Sequence, residues 1–264
     1  MLTFEYDYMK HFIRILYYRS ALIRLIIGFI SVISHRTSFL RVFHFLSYEE
    51  ENAIGPLQRD EAVAIFGITR VVRPNTIVEF GFFHGHSAYN FLAALEPNAL
   101  LFSYDIDSVS EFRAKTEFSH FRNFKFIGKS QTDFCASDID NRPVDLVFFD
   151  ASHCLDLNKT TFLKVYPHLA ENGLIIIHDT GVWNNKYFSD THRHFVEELD
   201  PPRTPDGFYI HQPDEREFVR WVLTEYNVLT EFHLHTTNTL RHGFTRIQRR
   251  NTEMCSNKPI EPIR

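Results

Sequence analysis

The chain has 264 residues, enough for one α/β domain with an N-terminal appendage and a sizeable core. Its net charge is -5 and it has no long basic block, which argues against nucleic acid as a main partner. The three cysteines, Cys135, Cys154 and Cys255, form no CxxC pair; this argues against a disulfide framework or zinc site and fits a reducing, cytoplasmic compartment.

The N-terminal stretch from His11 to Ser34 is apolar and basic, with Arg14, Arg19 and Arg24 interrupting it. The uninterrupted apolar run falls short of the ~18 residues that suggest a membrane span. No convincing small-residue cleavage site follows it. A packing or dimerisation helix is the first reading, and a basic amphipathic helix lying on a membrane surface the second. The organisation expected is an N-terminal helical appendage over residues 1–54, one domain over 55–250, and a charged tail over 251–264.

Residues Pro56 to Val72 have helical periodicity, with Ala62, Ile65, Phe66 and Ile68 on an inward stripe, and Arg73-Pro74-Asn75 breaks it. Strand and helix signals then alternate. Strands are expected at Thr76–Phe80, Leu100–Tyr104, Phe124–Ile127, Val144–Phe149 and Leu174–Ile177. Helices are expected at Ser87–Leu95, Ser108–Phe118 and Lys159–Leu169, the last stopped by a Glu171-Asn172-Gly173 turn. Continuous apolar runs alternating with helices imply a parallel sheet covered on both faces. Gly181 to Phe218 reads as a long irregular segment, the kind that forms a lid over a site. Glu215, Arg216, Phe218, Val219 and Trp221 read as an amphipathic helix, and strands at Val228–His235 and Phe244–Gln248 as a closing hairpin. The 27 phenylalanines read as core packing rather than an apolar pocket.

The first strand runs into Glu79-Phe80-Gly81-Phe82-Phe83-His84-Gly85-His86-Ser87, a glycine turn ahead of a helix N-terminus. Such a turn lets ligand atoms approach bare backbone and offers unpaired N–H groups. Phe83 stands where the dinucleotide fingerprint has its middle glycine. Acids recur at the strand ends: Glu79, Asp105, Asp150 and Asp179. In an open parallel sheet this edge holds the ligand. Asp105 lies about 20 residues past the glycine turn, where a ribose-binding carboxylate is expected, and Asp107 competes for that role. Ser130 and Gln131 are placed to meet a base edge. If their strands are neighbours, Asp150 and Asp179 sit ~5 Å apart at the backbone and can share one cation such as Mg²⁺. His153 is a candidate general base near them. His178 should point away from Asp179 by strand alternation and is taken as structural.

The ordered set EFGxxxGHS, YDID, GxSQ, DLVFFDASH and ENGLIIIHDT resembles the class I S-adenosylmethionine-dependent methyltransferases. The resemblance runs from about Gln58 to Gln248 and is strongest to the branch holding catechol O-methyltransferase-like enzymes, macrocin-type sugar O-methyltransferases and cephalosporin-hydroxylase-like proteins. It implies a Rossmann-like, seven-stranded, mostly parallel sheet flanked by helices and ending in an antiparallel hairpin. It further implies that Glu79, Gly81 and Gly85 line the methionine part of the cofactor, that Asp105 binds the ribose, and that Ser130 and Gln131 lie near adenine. Phe82, Ser87, Ile106 and Asp150 complete the implied cofactor set. Asp150 and Asp179 become metal ligands, Mg²⁺ or another divalent cation, and Asp150 and His153 the catalytic pair. Thr180 follows the last acid where metal-dependent relatives carry Asn or Asp, and a hydroxyl is a poorer ligand.

The expected activity is therefore O-methylation of a hydroxylated small molecule, sugar or glycan end. The alternatives are a non-catalytic or accessory cofactor-binding protein of the same fold and, less favoured, an NAD-dependent oxidoreductase.

Overall fold

A computed structural model describes Leu57 and residues 59–183, 209–210, 212–226, 228–234 and 243–249. The expected N-terminal appendage and charged tail lie outside these residues, as do Cys255 and residues 184–208 of the segment expected to form a lid. Helix α1 (Arg59–Val72) leads into strand β1 (Thr76–Phe80), α2 (His86–Ala94), β2 (Leu100–Tyr104), α3 (Ser108–Glu117) and β3 (Phe124–Ile127). The second half runs β4 (Val144–Phe149), α4 (Leu155–Val165), β5 (Leu169–His178), a short ladder of β6 (Val182–Trp183) with β7 (Tyr209–Ile210), α5 (Pro213–Glu225), β8 (Val228–Leu234) and β9 (Phe244–Arg249).

Seven of these strands form one sheet in the order β3-β2-β1-β4-β5-β9-β8. β1 to β5 pair in parallel, and β9 enters antiparallel between β5 and β8. The class I methyltransferase sheet implied by the sequence motifs is the sheet observed. Strand alternation sends Ile77, Leu101, Phe148 and Ile176 into one core with Phe82, Ala88 and Phe91. Val78, Phe80, Phe102, Phe149 and Ile177 enter the opposite core with Phe162, Phe218 and Val222. Phenylalanines thus fill both faces, as the composition suggests; Phe83, half exposed, is one exception.

Three sequence expectations change. The helix expected at Lys159–Leu169 runs Leu155–Val165, and Leu169 opens β5. The Glu171-Asn172-Gly173 turn is part of β5: Val144 pairs with Leu169 and Leu146 with Leu174, so the extra residues are absorbed as an irregularity within the ladder. The region from Gly181 to Phe218 is not wholly irregular, since it contributes the β6–β7 ladder and the start of α5. Pro213 at the first turn of α5 suits a position whose N–H has no helical acceptor. Among the described residues no helix is long and apolar enough to cross a membrane.

Candidate active site

The chain steps outward from β1 to β2 and β3, then returns to place β4 on the other side of β1. That reversal opens a crevice at the strand C-termini. A cavity of about 640 Å³ lies there. It is lined by Gly81 and Phe83 after β1, Tyr104, Asp105 and Ile106 at β2, and Ser130 and Gln131 after β3. Asp150 and His153 after β4 and Asp179 after β5 complete the ligand-facing edge. Glu79, Phe82, Gly85 and Ser87 do not reach the cavity; they are buried beneath it.

The glycines have a more specific reason than ligand approach. Gly81 has φ +99°, and a Cβ there would run into the Asp150 carbonyl, 2.5 Å from its carbon and 2.8 Å from Ala151 N. The bare α-carbon is what lets the β1 and β4 ends cross closely. Gly85, φ +80°, would drive a Cβ to 2.5 Å from the Phe118 ring and 2.8 Å from that of Phe82. Between them Phe83 adopts φ +46°, left-handed geometry usual for glycine, at the position where the dinucleotide pattern has one. The backbone keeps the glycine shape while the side chain stands over the cavity mouth.

Glu79 is fully buried and accepts a hydrogen bond from Ser103 Oγ. Burial pushes its carboxyl up to about 8; the hydroxyls of Ser103 and Ser87 oppose this, and the charges of Asp150 and Asp105 add to it. A neutral carboxyl therefore underlies the turn. Asp105 ties the turn to β2. Its Oδ2 accepts from Phe82 N (3.1 Å), Phe83 N (2.8 Å) and Ser110 Oγ (3.0 Å), while Oδ1 accepts from Asp107 N (2.9 Å). A carboxylate offers about four acceptor sites, two per oxygen, so Oδ1 keeps capacity for a further donor. Asp107, the competing acid, caps α3 through Val109 N at 2.9 Å. Ser130 likewise caps the turn at Gln131–Asp133 through Thr132 N. Gln131 donates from Nε2 to Asn158 Oδ1 at 3.0 Å, and its Oε1 is buried without a hydrogen-bond partner among the described residues.

β4 and β5 are neighbours, with Phe149 opposite Ile177, so Asp150 and Asp179 do leave adjacent strands. The argument from strand alternation fails for His178. Its Nδ1 lies 3.0 Å from Asp150 Oδ1 and 3.2 Å from Asp179 Oδ1, and its Nε2 lies 3.3 Å from Glu61 Oε2. The cause is local: Asp179 leaves the strand with φ +58°, which breaks the two-residue alternation and brings both side chains to one side. Burial disfavours a charged His178, yet the charges of Asp150, Asp179 and Glu61 outweigh it and hold the imidazole well above its ordinary range. Burial raises the Asp150 carboxyl, His178 opposes this, and Asp179 reinforces it.

Each of Asp150, His178 and Asp179 offers a ligand atom, and the three lie within 4.8 Å of one another. Two carboxylates and an imidazole are a reasonable donor set for a divalent cation, with the nitrogen favouring Mn²⁺ or Zn²⁺ more than Mg²⁺. Thr180 is turned elsewhere: its Oγ1 accepts from Thr245 Oγ1 at 2.9 Å. The third donor that Thr180 fails to supply is thus available from His178.

His153 faces two acids. Its Nε2 lies 3.3 Å from Asp179 Oδ2 and its Nδ1 3.2 Å from Glu215 Oε1. Burial works against its charged form, but the Glu215 hydrogen bond and the charges of Asp179, Asp150 and Glu215 raise its pKa overall. Glu215 is buried and also accepts twice from Asn158 Nδ2, at 3.0 and 3.1 Å. Sequence reasoning missed Glu61, Asn158 and Glu215 as site residues. A signal was present: buried positions recur at Asn158, Thr161, Phe162 and Val165 and at Glu215, Phe218, Val219 and Val222, so each polar residue heads an apolar stripe.

Residues 78–180, the stretch holding every one of these strand ends, match the family described as a methyltransferase domain. No curated protein matches the sequence. Among solved structures, the chain is similar in fold to the O-methyltransferase TomG from Streptomyces achromogenes, which acts in tomaymycin synthesis and was crystallised with SAM. That likeness has 16% identity and a TM-score of 0.55, covering 80% of this chain and 90% of TomG. An O-methyltransferase from Bacillus cereus in complex with SAH gives 14% identity and a TM-score of 0.57 over 81% of this chain and 91% of its own. The SAH-bound methyltransferase PaMTH1 from Podospora anserina gives 13% and 0.55 over 85% and 95%. At such identities the likeness concerns the fold.

Proposed function

We propose that this protein is an S-adenosylmethionine-dependent O-methyltransferase acting on a hydroxyl of a small molecule or sugar. The observation that carries the reading is that one cavity, at the sheet's switch point, is lined on one side by Asp105 and Gln131 and on the other by Asp150, His153 and Asp179. The first side fits a nucleoside: Asp105 Oδ1 has room for a ribose hydroxyl, and the orphaned Gln131 Oε1 suits the exocyclic amine of adenine. The cofactor, when bound, supplies an activated methyl group.

The remaining work falls to the chain's own side chains. Phe83 and the cavity walls hold the acceptor hydroxyl near the methyl position, and near-attack placement supplies much of the rate. His153 lines the cavity and takes the hydroxyl proton; Asp179 and Glu215, one at each ring nitrogen, stabilise the imidazolium that results. Asp150, His178 and Asp179 would hold a divalent cation, which would orient the acceptor oxygen and lower its pKa.

The test is methyl transfer from S-adenosylmethionine to a panel of phenols, sugars and glycan ends, with and without EDTA, beside calorimetry with S-adenosylhomocysteine and NAD. Asp150→Ala is expected to lower transfer by about 10² or more while homocysteine-nucleoside binding changes little. Equal loss of both sinks the residue assignment, and tight binding of NAD alone sinks the reaction class.

A further inference from the structure

A chain of polar side chains links two residues of the cavity wall, Gln131 and His153, through the buried Asn158 and Glu215. Its direction is set at one point. A carboxylate only accepts hydrogen bonds, so both partners of Glu215 must present N–H groups to it. The Asn158 amide must therefore turn Nδ2 toward Glu215, as its 3.0 and 3.1 Å distances show, and its Oδ1 faces the other way. Oδ1 in turn requires the N–H end of the Gln131 amide, found at 3.0 Å, which leaves Gln131 Oε1 as the outward group. Reversing either amide would set acceptor against acceptor in a buried site, which is costly. On its other side Glu215 meets Nδ1 of His153 at 3.2 Å, while Nε2 of the same ring lies 3.3 Å from Asp179 Oδ2.

We infer that Glu215 is a positioning residue for the nucleoside end of the site: through Asn158 it fixes Gln131 as an acceptor that selects a 6-amino over a 6-oxo purine. This rests on the methyltransferase reading for its ligand. The geometry assigns no contact between Glu215 and a reacting group. Its effect is transmitted through Asn158.

The experiment uses the full chain and three proteins: wild type, Glu215→Gln, and Asn158→Ala. Glutamine can donate as well as accept, so it removes the one-way constraint while keeping the shape. Calorimetry with S-adenosylhomocysteine and its deaminated 6-oxo analogue reads purine selection. In Glu215→Gln the amino-to-oxo affinity ratio should fall by about tenfold or more. Asn158→Ala removes the link to Gln131 itself, so the ratio should collapse. Should Glu215→Gln fail to fold, Asn158→Ala still decides whether Gln131 is held through this link. An unchanged affinity ratio in a folded Glu215→Gln or Asn158→Ala protein overturns the inference. A wild type that binds neither nucleoside overturns the methyltransferase reading instead.

Discussion

Replacing Glu79 with glutamine isolates the cost of a buried carboxyl beneath the glycine turn. The side chain has no exposed surface and titrates near 8 instead of 4.5, chiefly because burial disfavours the charged form. The folded state therefore holds a proton that the unfolded chain has already released. Stability linked to this group is complete below the unfolded value and is lost as pH rises through about 8. At about 1.4 kcal/mol per pH unit, the loss between those limits is roughly 5 kcal/mol. Glutamine is neutral throughout and its carbonyl can keep the Ser103 hydroxyl bond. Urea unfolding of ligand-free protein at intervals from pH 5 to pH 9 measures the effect as a difference between the two chains. Other titrating groups, such as His178 and Glu215, are common to both and largely cancel. Glu79→Gln should gain on wild type steadily with pH and stop gaining above about 8. Parallel stability curves would refute the reasoning, because they would mean that Glu79 is no harder to ionise folded than unfolded.

Two other substitutions test separate joints of the site. Gly81→Ala combines a left-handed backbone with a collision against the Asp150 carbonyl, and should destabilise by roughly 2–5 kcal/mol in chemical denaturation; a change within about 0.5 kcal/mol would show that the strand ends can separate freely. Asp179→Asn removes a charge that raises the pKa of His153. If His153 acts as a base, activity needs its neutral form and rises with pH; the acid limb of kcat/KM should then move to lower pH. A limb that stays in place or moves upward contradicts the role given to His153.

Much of the framework was legible because buried parallel strands are continuous apolar runs and their ends are marked by acids. Thr76–Phe80, Leu100–Tyr104, Phe124–Ile127 and Val144–Phe149 form strands with the expected limits. Asp105, Asp150 and Asp179 were foreseeable at one edge, since parallel strands carry their C-termini to the same side. Less legible were polar residues whose chemistry is reversed by burial. In sequence Glu215 stands in the charged run Asp214-Glu215-Arg216-Glu217 and reads as solvated. Its place at i of an i, i+3, i+4, i+7 stripe puts it inside, against His153. Glu61 is hidden in the same way on α1, four residues before Ile65.

The sequence by itself determined the order of elements, the faces that strands and helices bury, and the edge on which the acids collect. These depend on local periodicity and on connection rules that need no distances. Only the tertiary structure decided which acids meet. His178 joins Asp150 because one residue, Asp179, turns to positive φ at the end of β5. Gly81 is required because a neighbouring strand end crosses it. The direction of the Gln131–Asn158–Glu215 chain exists only once three elements, the β3–β4 connection, α4 and α5, are packed around one buried carboxylate. Hydrogen-bond polarity and buried charge depend on separations of about 3 Å between residues far apart in sequence, and no local pattern records those separations.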